Sequence, residues 1–172
     1  MKQVIRAAAI CCFVAGLAVL ASCVAVAQSK SPKELLVGTW TLASADSVRS
    51  DSSRTPVFGA SPKGTLIFTG DGHFSLIQMR ADVPRIAANS RDQGTSEEYK
   101  SIVSGSIAYF GTYSFNAAEK TIVLQLAGST YVNLIGGDQK RIVTKLTPDD
   151  LTFTNPRNPS GMTLEVTWKR AR

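Results

Sequence analysis

The chain has 172 residues, of which 44% are hydrophobic, and a formal net charge of +6 at pH 7. This length fits one domain of ordinary size, and the composition is sufficient for a hydrophobic core. The basic residues are spread along the chain and do not form a cluster interleaved with aromatic residues. The sequence therefore does not indicate nucleic-acid binding.

The first 27 residues have the pattern of a secretory signal peptide. Lys2 and Arg6 form a positive start, and an uncharged apolar run, Ala7–Ala21, follows them. A spanning helix needs about 20 apolar residues, so this run is short for a membrane anchor and typical of a removable signal. We therefore expect an exported protein. Its mature net charge is about +4, because Lys2 and Arg6 leave with the signal.

Two cleavage sites compete within this segment. Ala25-Val26-Ala27 is an A-x-A site for ordinary signal peptidase, which would cut after residue 27. Leu20-Ala21-Ser22-Cys23 resembles a bacterial lipobox, in which the cut follows residue 22 and Cys23 is lipidated. The sequence leaves both open. The protein is expected to be either periplasmic or anchored to the cell envelope by a lipid.

All three cysteines, Cys11, Cys12 and Cys23, lie within the signal region or at its edge. The mature domain is therefore expected to have no disulfide, no thiol nucleophile and no thiolate metal site. Its stability must come from its core.

The domain itself is expected over residues 34–172 and reads as mostly β. Gly70-Asp71-Gly72 marks a tight hairpin turn, where glycine permits positive φ. The predicted elements of this half are a turn of helix, a strand, a long loop and a hairpin: Glu34–Val37, Gly38–Ser47, Asp46–Pro62, and Gly64–Thr69 with His73–Met79.

A short helix is predicted from Thr95 to about Val103, because Thr95 can cap it and Glu97 and Glu98 complement its dipole. Five strands are predicted after it, with a turn at Asn155–Gly161 before the last: Gly111–Phe115, Thr121–Ala127, Lys140–Leu146, Leu151–Thr154 and Met162–Lys169.

Alternation of apolar and polar residues supports this assignment. Four apolar residues share one face of the final strand: Met162, Leu164, Val166 and Trp168. In the strand Lys140–Leu146, an apolar pair likewise opposes a basic pair: Ile142 and Leu146 against Arg141 and Lys145. Such patterns are typical of antiparallel sheets with one buried face. The prediction is an all-β domain: a small antiparallel barrel of about eight strands, or a closely related sandwich, with one short helix.

A family resemblance agrees with this reading. Gly38-Thr39-Trp40 is the G-x-W that opens the first strand of lipocalins. Together with segments downstream it resembles the bacterial lipocalin-like domain family over about residues 35–170. The segments are Leu36–Leu42, Pro62–Gly64, Leu66–Gly72, Tyr109–Phe115 and Val166–Arg170. Relatives tend to carry histidine where this chain has Val123–Gln125, and an aromatic residue near Leu134, so its cavity is expected to be more apolar.

The resemblance also implies a structural role for Gly38, Trp40 and Arg170. In lipocalins the G-x-W tryptophan closes the base of the barrel, and a basic residue of the last strand packs across its ring. A cation–π contact of this kind stabilises a fold by roughly 0.5–2 kcal/mol.

Polar residues on otherwise apolar strands are the candidate ligand-binding residues, because a small barrel can hold one small molecule. They are Ser75, Gln78, Tyr113, Gln125 and Arg141. Regular alternation does not let Ser75 and Gln78 both face inward. The aromatic residues are read mainly as core: Phe68, Phe74, Tyr109, Phe110, Tyr113, Phe115 and Trp168.

No catalytic or metal-binding set is evident. His73 is the only histidine and follows a turn, so it reads as solvated and without a partner. No cofactor is indicated. The leading hypothesis is a protein that binds a small hydrophobic molecule, gated by the loop Arg80–Gly94. The alternatives are an isomerase or cyclase using barrel tyrosines or Arg141, and a packed structural protein of the envelope. Oligomeric state is not predicted.

Overall fold

The computed structural model describes residues 30–155 and 162–172. The predicted signal peptide, both cleavage sites and Cys23 lie outside these residues, as does most of the predicted turn Asn155–Gly161. Within them, no helix is long and apolar enough to cross a membrane.

Nine strands, two α-helices and one 3₁₀ turn make up the described fold. The helices are α1 (Pro32–Leu36) and α2 (Ser96–Ser104), and the 3₁₀ turn is Val132–Leu134. The strands are β1 (Gly38–Val48), β2 (Arg54–Pro56), β3 (Lys63–Phe68), β4 (His73–Met79), β5 (Ser106–Asn116), β6 (Thr121–Ser129), β7 (Gln139–Leu146), β8 (Asp150–Thr154) and β9 (Thr163–Arg170).

Eight of these strands form a closed antiparallel barrel. From β3 to β9 each strand pairs with the next along the chain, and β1 pairs with both β3 and β9. β2 pairs only with the end of β1, outside the closed ring. The barrel predicted from the alternating pattern is therefore confirmed, with one additional strand. β2 was not predicted, because its three residues lie in a stretch whose composition is that of a loop.

One end of the barrel is closed by α1 and the G-x-W segment. Ser31 and Glu34 form a capping box that starts α1. Trp40 is fully buried at the start of β1, and its indole Nε1 donates to the Leu36 carbonyl at 2.9 Å. The guanidinium carbon of Arg170 lies 3.7 Å from the centre of the Trp40 ring, as predicted.

Arg170 also donates to three carbonyls from two segments at this end. Its Nη1 donates to the Val37 carbonyl at 2.8 Å, its Nε donates to the Pro148 carbonyl at 2.9 Å, and its Nη2 donates to the Leu35 carbonyl. Burial lowers the pKa of its guanidinium. Gly38 has φ +131°, and a Cβ there would lie 2.5 Å from Nη1 of Arg170. A glycine is thus needed where the arginine crosses the chain.

The barrel wall alternates inward and outward side chains, but two faces differ from those predicted. In β7, Arg141 is buried and Ile142 is 43% exposed, so the prediction that Ile142 faces the core is wrong. The register shift between Val143 and Lys145 then turns the end of the strand, which brings Leu146 back toward the core. In β5, Phe110 is 56% exposed and lies over Gly128, outside the core to which it was assigned.

The opposite end of the barrel carries the longer connections. β4 finishes there and β5 begins there, joined by the loop 80–94 and α2. Thr95 caps α2, and its side chain accepts from the Glu98 amide as predicted. The predicted loop Asp46–Pro62 is partly ordered. It contains the strand β2, and its Phe58 is buried with the core.

Replacement of Arg170 is expected to destabilise the fold. Arg170→Met removes the stacking on Trp40 and the charged donors to three carbonyls, and should lower the free energy of unfolding by about 2–4 kcal/mol. The measurement is urea denaturation followed by tryptophan fluorescence. Arg172→Met is the control, because Arg172 is an exposed arginine two positions further on. Equal stability of the two variants would contradict the role given to Arg170.

Candidate functional site

The five candidate ligand-binding residues do not lie on one side of the wall. Ser75 and Gln125 are exposed on its outer face, because their neighbours Phe74, Leu76 and Leu124 face inward. The expectation that Ser75 and Gln125 line the interior is therefore wrong. Gln78, Tyr113 and Arg141 are buried inside the barrel.

Tyr113 belongs to the closed end. Its hydroxyl donates to the Thr69 carbonyl at 2.9 Å, and its ring lies 4.7 Å from that of Phe68. Burial, and then the nearby charge of Asp71, raise the pKa of Tyr113 above its ordinary value. The hydroxyl is thus neutral and already paired, which makes the residue part of the core.

Arg141 is the buried charged residue of the interior. It is 5% exposed, and its Nη1 donates to the Lys140 carbonyl at 2.8 Å. Its Nη2 lies 3.5 Å from the Tyr109 hydroxyl, a long contact for a hydrogen bond. None of the ion pairs formed among the residues described by the structure includes Arg141. Its charge is therefore buried beside neutral groups alone.

Two further buried donors lack a partner within the described part of the chain. These are the amide Nε2 of Gln78, on β4, and the indole Nε1 of Trp168, on β9. The two side chains are 3% and 0% exposed, so bulk water does not replace the missing acceptors. Buried polar atoms are nearly always hydrogen-bonded, and an exception calls for an explanation.

The strand register brings these donors onto a common band of the wall. Tyr109 lies opposite Leu76, and Gln78 lies opposite Ile107. Tyr109 and Gln78 are thus diagonal neighbours, a relation that places them about 7–8 Å apart and within reach of long side chains. The contact of Tyr109 with Arg141 extends this band to β7.

Trp168 joins the band from the other direction. It lies opposite Leu42 on β1. A Cβ on Gly64 would lie 3.1 Å from that of Leu42, and Gly64 lies opposite Gln78. Going around the wall, Trp168 is therefore followed by Leu42, Gly64 and Gln78. We call Gln78, Tyr109, Arg141 and Trp168 the interior donor set.

Two clefts lie outside this set. One, of about 220 Å³, is near the closed end between α1 and the turns of β5 to β7, and Leu35, Phe115 and Val143 contribute to its walls. The other, of about 180 Å³, includes Gln125 and Asp138. Neither is lined by a member of the interior donor set, so they are separate features.

His73 is a surface residue, as predicted. Its side chain is 64% exposed, and its Nδ1 lies 3.2 Å from a carboxylate oxygen of Asp71, a partner that was not predicted. The Thr69 hydroxyl and His73 lower the pKa of Asp71. Among residues 30–155 and 162–172, no group of three His, Cys, Asp or Glu side chains is placed to hold a metal ion.

The decisive comparison is with protein families. The lipocalin-like domain matches residues 37–171, which is most of the chain. The chain belongs to the lipocalin-like domain family. A sequence search of curated proteins gave no match.

Solved structures with a similar chain path include a lipocalin-like protein from Bacteroides uniformis. That protein is 17% identical, with a TM-score of 0.45, and the match covers 80% of this chain and 99% of the other. A redesigned β-barrel, mFAP1, bound to DFHBI, is 17% identical with a TM-score of 0.40, over 82% and 100% of the chains. A biogenic amine-binding protein is 10% identical with a TM-score of 0.40, over 79% and 64%.

Tyr109 and Trp168 are the members of the interior donor set that the sequence did not assign to the site. Both occupy apolar positions in the alternating pattern, and that pattern predicts core packing correctly. The alternating pattern does not show whether the indole Nε1 of Trp168 meets an acceptor, because that depends on side chains from distant strands.

Proposed function

We propose that this lipocalin-like protein binds a small, mainly apolar molecule inside its barrel. The observation that supports this is the interior donor set, buried on a wall that is otherwise built from apolar side chains. A few polar groups on an apolar lining are typical of pockets that hold and orient one ligand.

An isomerase or cyclase has less support. The pKa of Tyr113 is raised, which disfavours a tyrosinate, and its hydroxyl is held by the Thr69 carbonyl. A barrel filled completely by its own side chains is the remaining alternative. It leaves Gln78 Nε2 and Trp168 Nε1 unexplained.

Ligand binding is tested on gently purified protein by native mass spectrometry and solvent extraction, and then by thermal shift with decanoate, methyl decanoate, 2-naphthoate and N-phenyl-1-naphthylamine. We expect a bound small molecule or a shift with at least one probe. Ala45→Leu should weaken binding, because Ala45 is 2% exposed on the inner wall of β1 and a larger side chain fills the interior.

Ala127→Leu is the matched control, because Ala127 is exposed on β6. A protein with no extractable ligand and no shift with any probe would favour the packed barrel. Equal binding by the two variants would place the ligand outside the interior.

We also propose that the loop 80–94 gates the barrel, since it follows β4 directly after Gln78. The loop is held by α2: the Tyr99 hydroxyl accepts from the Gly94 amide at 2.7 Å and donates to the Arg91 carbonyl at 3.1 Å. Glu98 accepts from the Ala87 amide at 2.8 Å. These contacts set how readily the loop moves.

Tyr99→Phe is expected to speed ligand release. Each hydrogen bond contributes roughly 1 kcal/mol, so the dissociation rate constant of N-phenyl-1-naphthylamine should rise about five- to thirtyfold. Stopped-flow fluorescence measures this rate constant. Tyr131→Phe is the control, because Tyr131 is 53% exposed and lies after β6. An unchanged rate in Tyr99→Phe would argue against gating by this loop.

Export is the third part of the proposal, supported by the sequence pattern of residues 1–27. If Cys23 is lipidated, globomycin should make the uncleaved precursor accumulate in the membrane fraction, and Cys23→Ala should abolish attachment of the lipid. Cys12→Ala is the control within the same segment. Unchanged processing under both treatments would leave cleavage after residue 27, and a full-length product in the cytoplasm would contradict export.

A further inference from the structure

Two of the three buried side-chain atoms that lack a partner in the described chain are donors and belong to the interior donor set. Gln78 Nε2 and Trp168 Nε1 can only donate. Arg141 has five N–H groups and no acceptor, and its two contacts are with a backbone carbonyl and the Tyr109 hydroxyl. The third atom, Asn155 Oδ1 just after β8, is an acceptor, so unpartnered donors still outnumber unpartnered acceptors before Arg141 is counted.

The charge of Arg141 makes this need for acceptors more specific. A buried cation is strongly destabilising unless an anion or several strong acceptors accompany it. The acidic residues that form ion pairs in the described chain do so at other places, with Arg54, His73, Arg80, Lys145 and Lys169. No carboxylate of the described barrel thus neutralises Arg141.

From this geometry we propose that the ligand is an anionic amphiphile, an apolar molecule with a carboxylate head whose oxygens pair with Arg141. A carboxylate is acceptor-only and matches the planar guanidinium in a two-point hydrogen bond. Gln78 and the Tyr109 hydroxyl lie along the same band and supply further donors. This inference rests on the proposed binding function and adds the charge of the ligand to it.

Aromatic and aliphatic side chains around the band fit the apolar part of such a molecule. Trp168 and Leu42 face the interior on one side of Gln78, and Ile107 lies opposite Gln78 on the other side. Leu164 and Leu126 are partly buried against the core and come from β9 and β6. The head is thus recognised by charge and the body by burial of apolar surface.

The test compares each acid with its own methyl ester by isothermal titration calorimetry on the folded protein: decanoate with methyl decanoate, and 2-naphthoate with methyl 2-naphthoate. The apolar body is the same within a pair, so the ratio of affinities reports the head. We expect the acid to bind on the order of tenfold or more tightly, and Arg141→Met to remove that preference.

Lys140→Met is the matched control. Lys140 precedes Arg141 on β7, carries the same charge and is exposed on the outer face. It should keep the preference for the acid. If both variants lose it equally, the preference comes from the general positive charge of the protein, and the assignment to Arg141 is overturned.

Thermal unfolding without ligand distinguishes a ligand-binding arginine from a structural one. Replacement of an unpaired buried charge by an apolar side chain of similar length often stabilises a protein, so Arg141→Met should raise Tm by roughly 2–8 °C. A fall in Tm with the acid preference retained would show that Arg141 serves the fold. Should Arg141→Met fail to fold, Gln78→Leu provides the test and should reduce the preference in part.

The outcomes also separate this inference from the proposed function. Equal binding of acid and ester by the wild-type protein would overturn the anionic ligand and leave binding of an apolar molecule intact. Failure of both acids, both methyl esters and N-phenyl-1-naphthylamine to bind, with nothing extractable from the purified protein, would overturn both.

Discussion

The closure of β1 onto β9 is the interaction on which the rest of this structure depends. An eight-stranded sheet that curls without closing leaves two edges, whereas pairing of the first strand with the last removes both. Arg170 secures that closure, because one guanidinium covers the ring of Trp40 and donates to carbonyls on both sides of the seam. The hydrogen bond of Trp40 to Leu36 then fixes α1 across the same end.

A closed ring fixes the register of every strand, and the register decides which side chains are removed from water. Regular alternation on β4 turns Phe74, Leu76 and Gln78 inward together, so the amide of Gln78 is buried because of its position. Three register shifts, between β1 and β9, between β5 and β6 and between β7 and β8, adjust the wall locally. The one in β7 follows Val143, and so Arg141 stays on the inner face while the outer face carries Ile142.

Much of this architecture is predictable from local chemistry. The capped helix at Thr95 and the glycine turn before His73 are specified by residues close in sequence. The inward face of β7 is not predictable in this way. Arg141 and Ile142 lie on opposite faces of the strand, and the register of the closed barrel decides which of them points inward. The wrong expectation that Ser75 lines the interior has the same origin. Neighbouring positions on β4 face opposite sides of the wall, and the polarity of a side chain does not show which side it faces. Phe110 is the opposite case, because the alternation of β5 places this aromatic side chain on the outer face.

Arg170 and Arg141 show that the effect of a buried charge depends on its partners. Arg170 is partly buried, yet three carbonyls and an aromatic face surround its guanidinium, so its charge strengthens the closed end. Arg141 is more deeply buried and meets one carbonyl and one distant hydroxyl. A fold does not need such a residue, because an apolar side chain there would pack without desolvating a charge. This contrast with Arg170 is the reason why we assign Arg141, in our proposal, to a ligand.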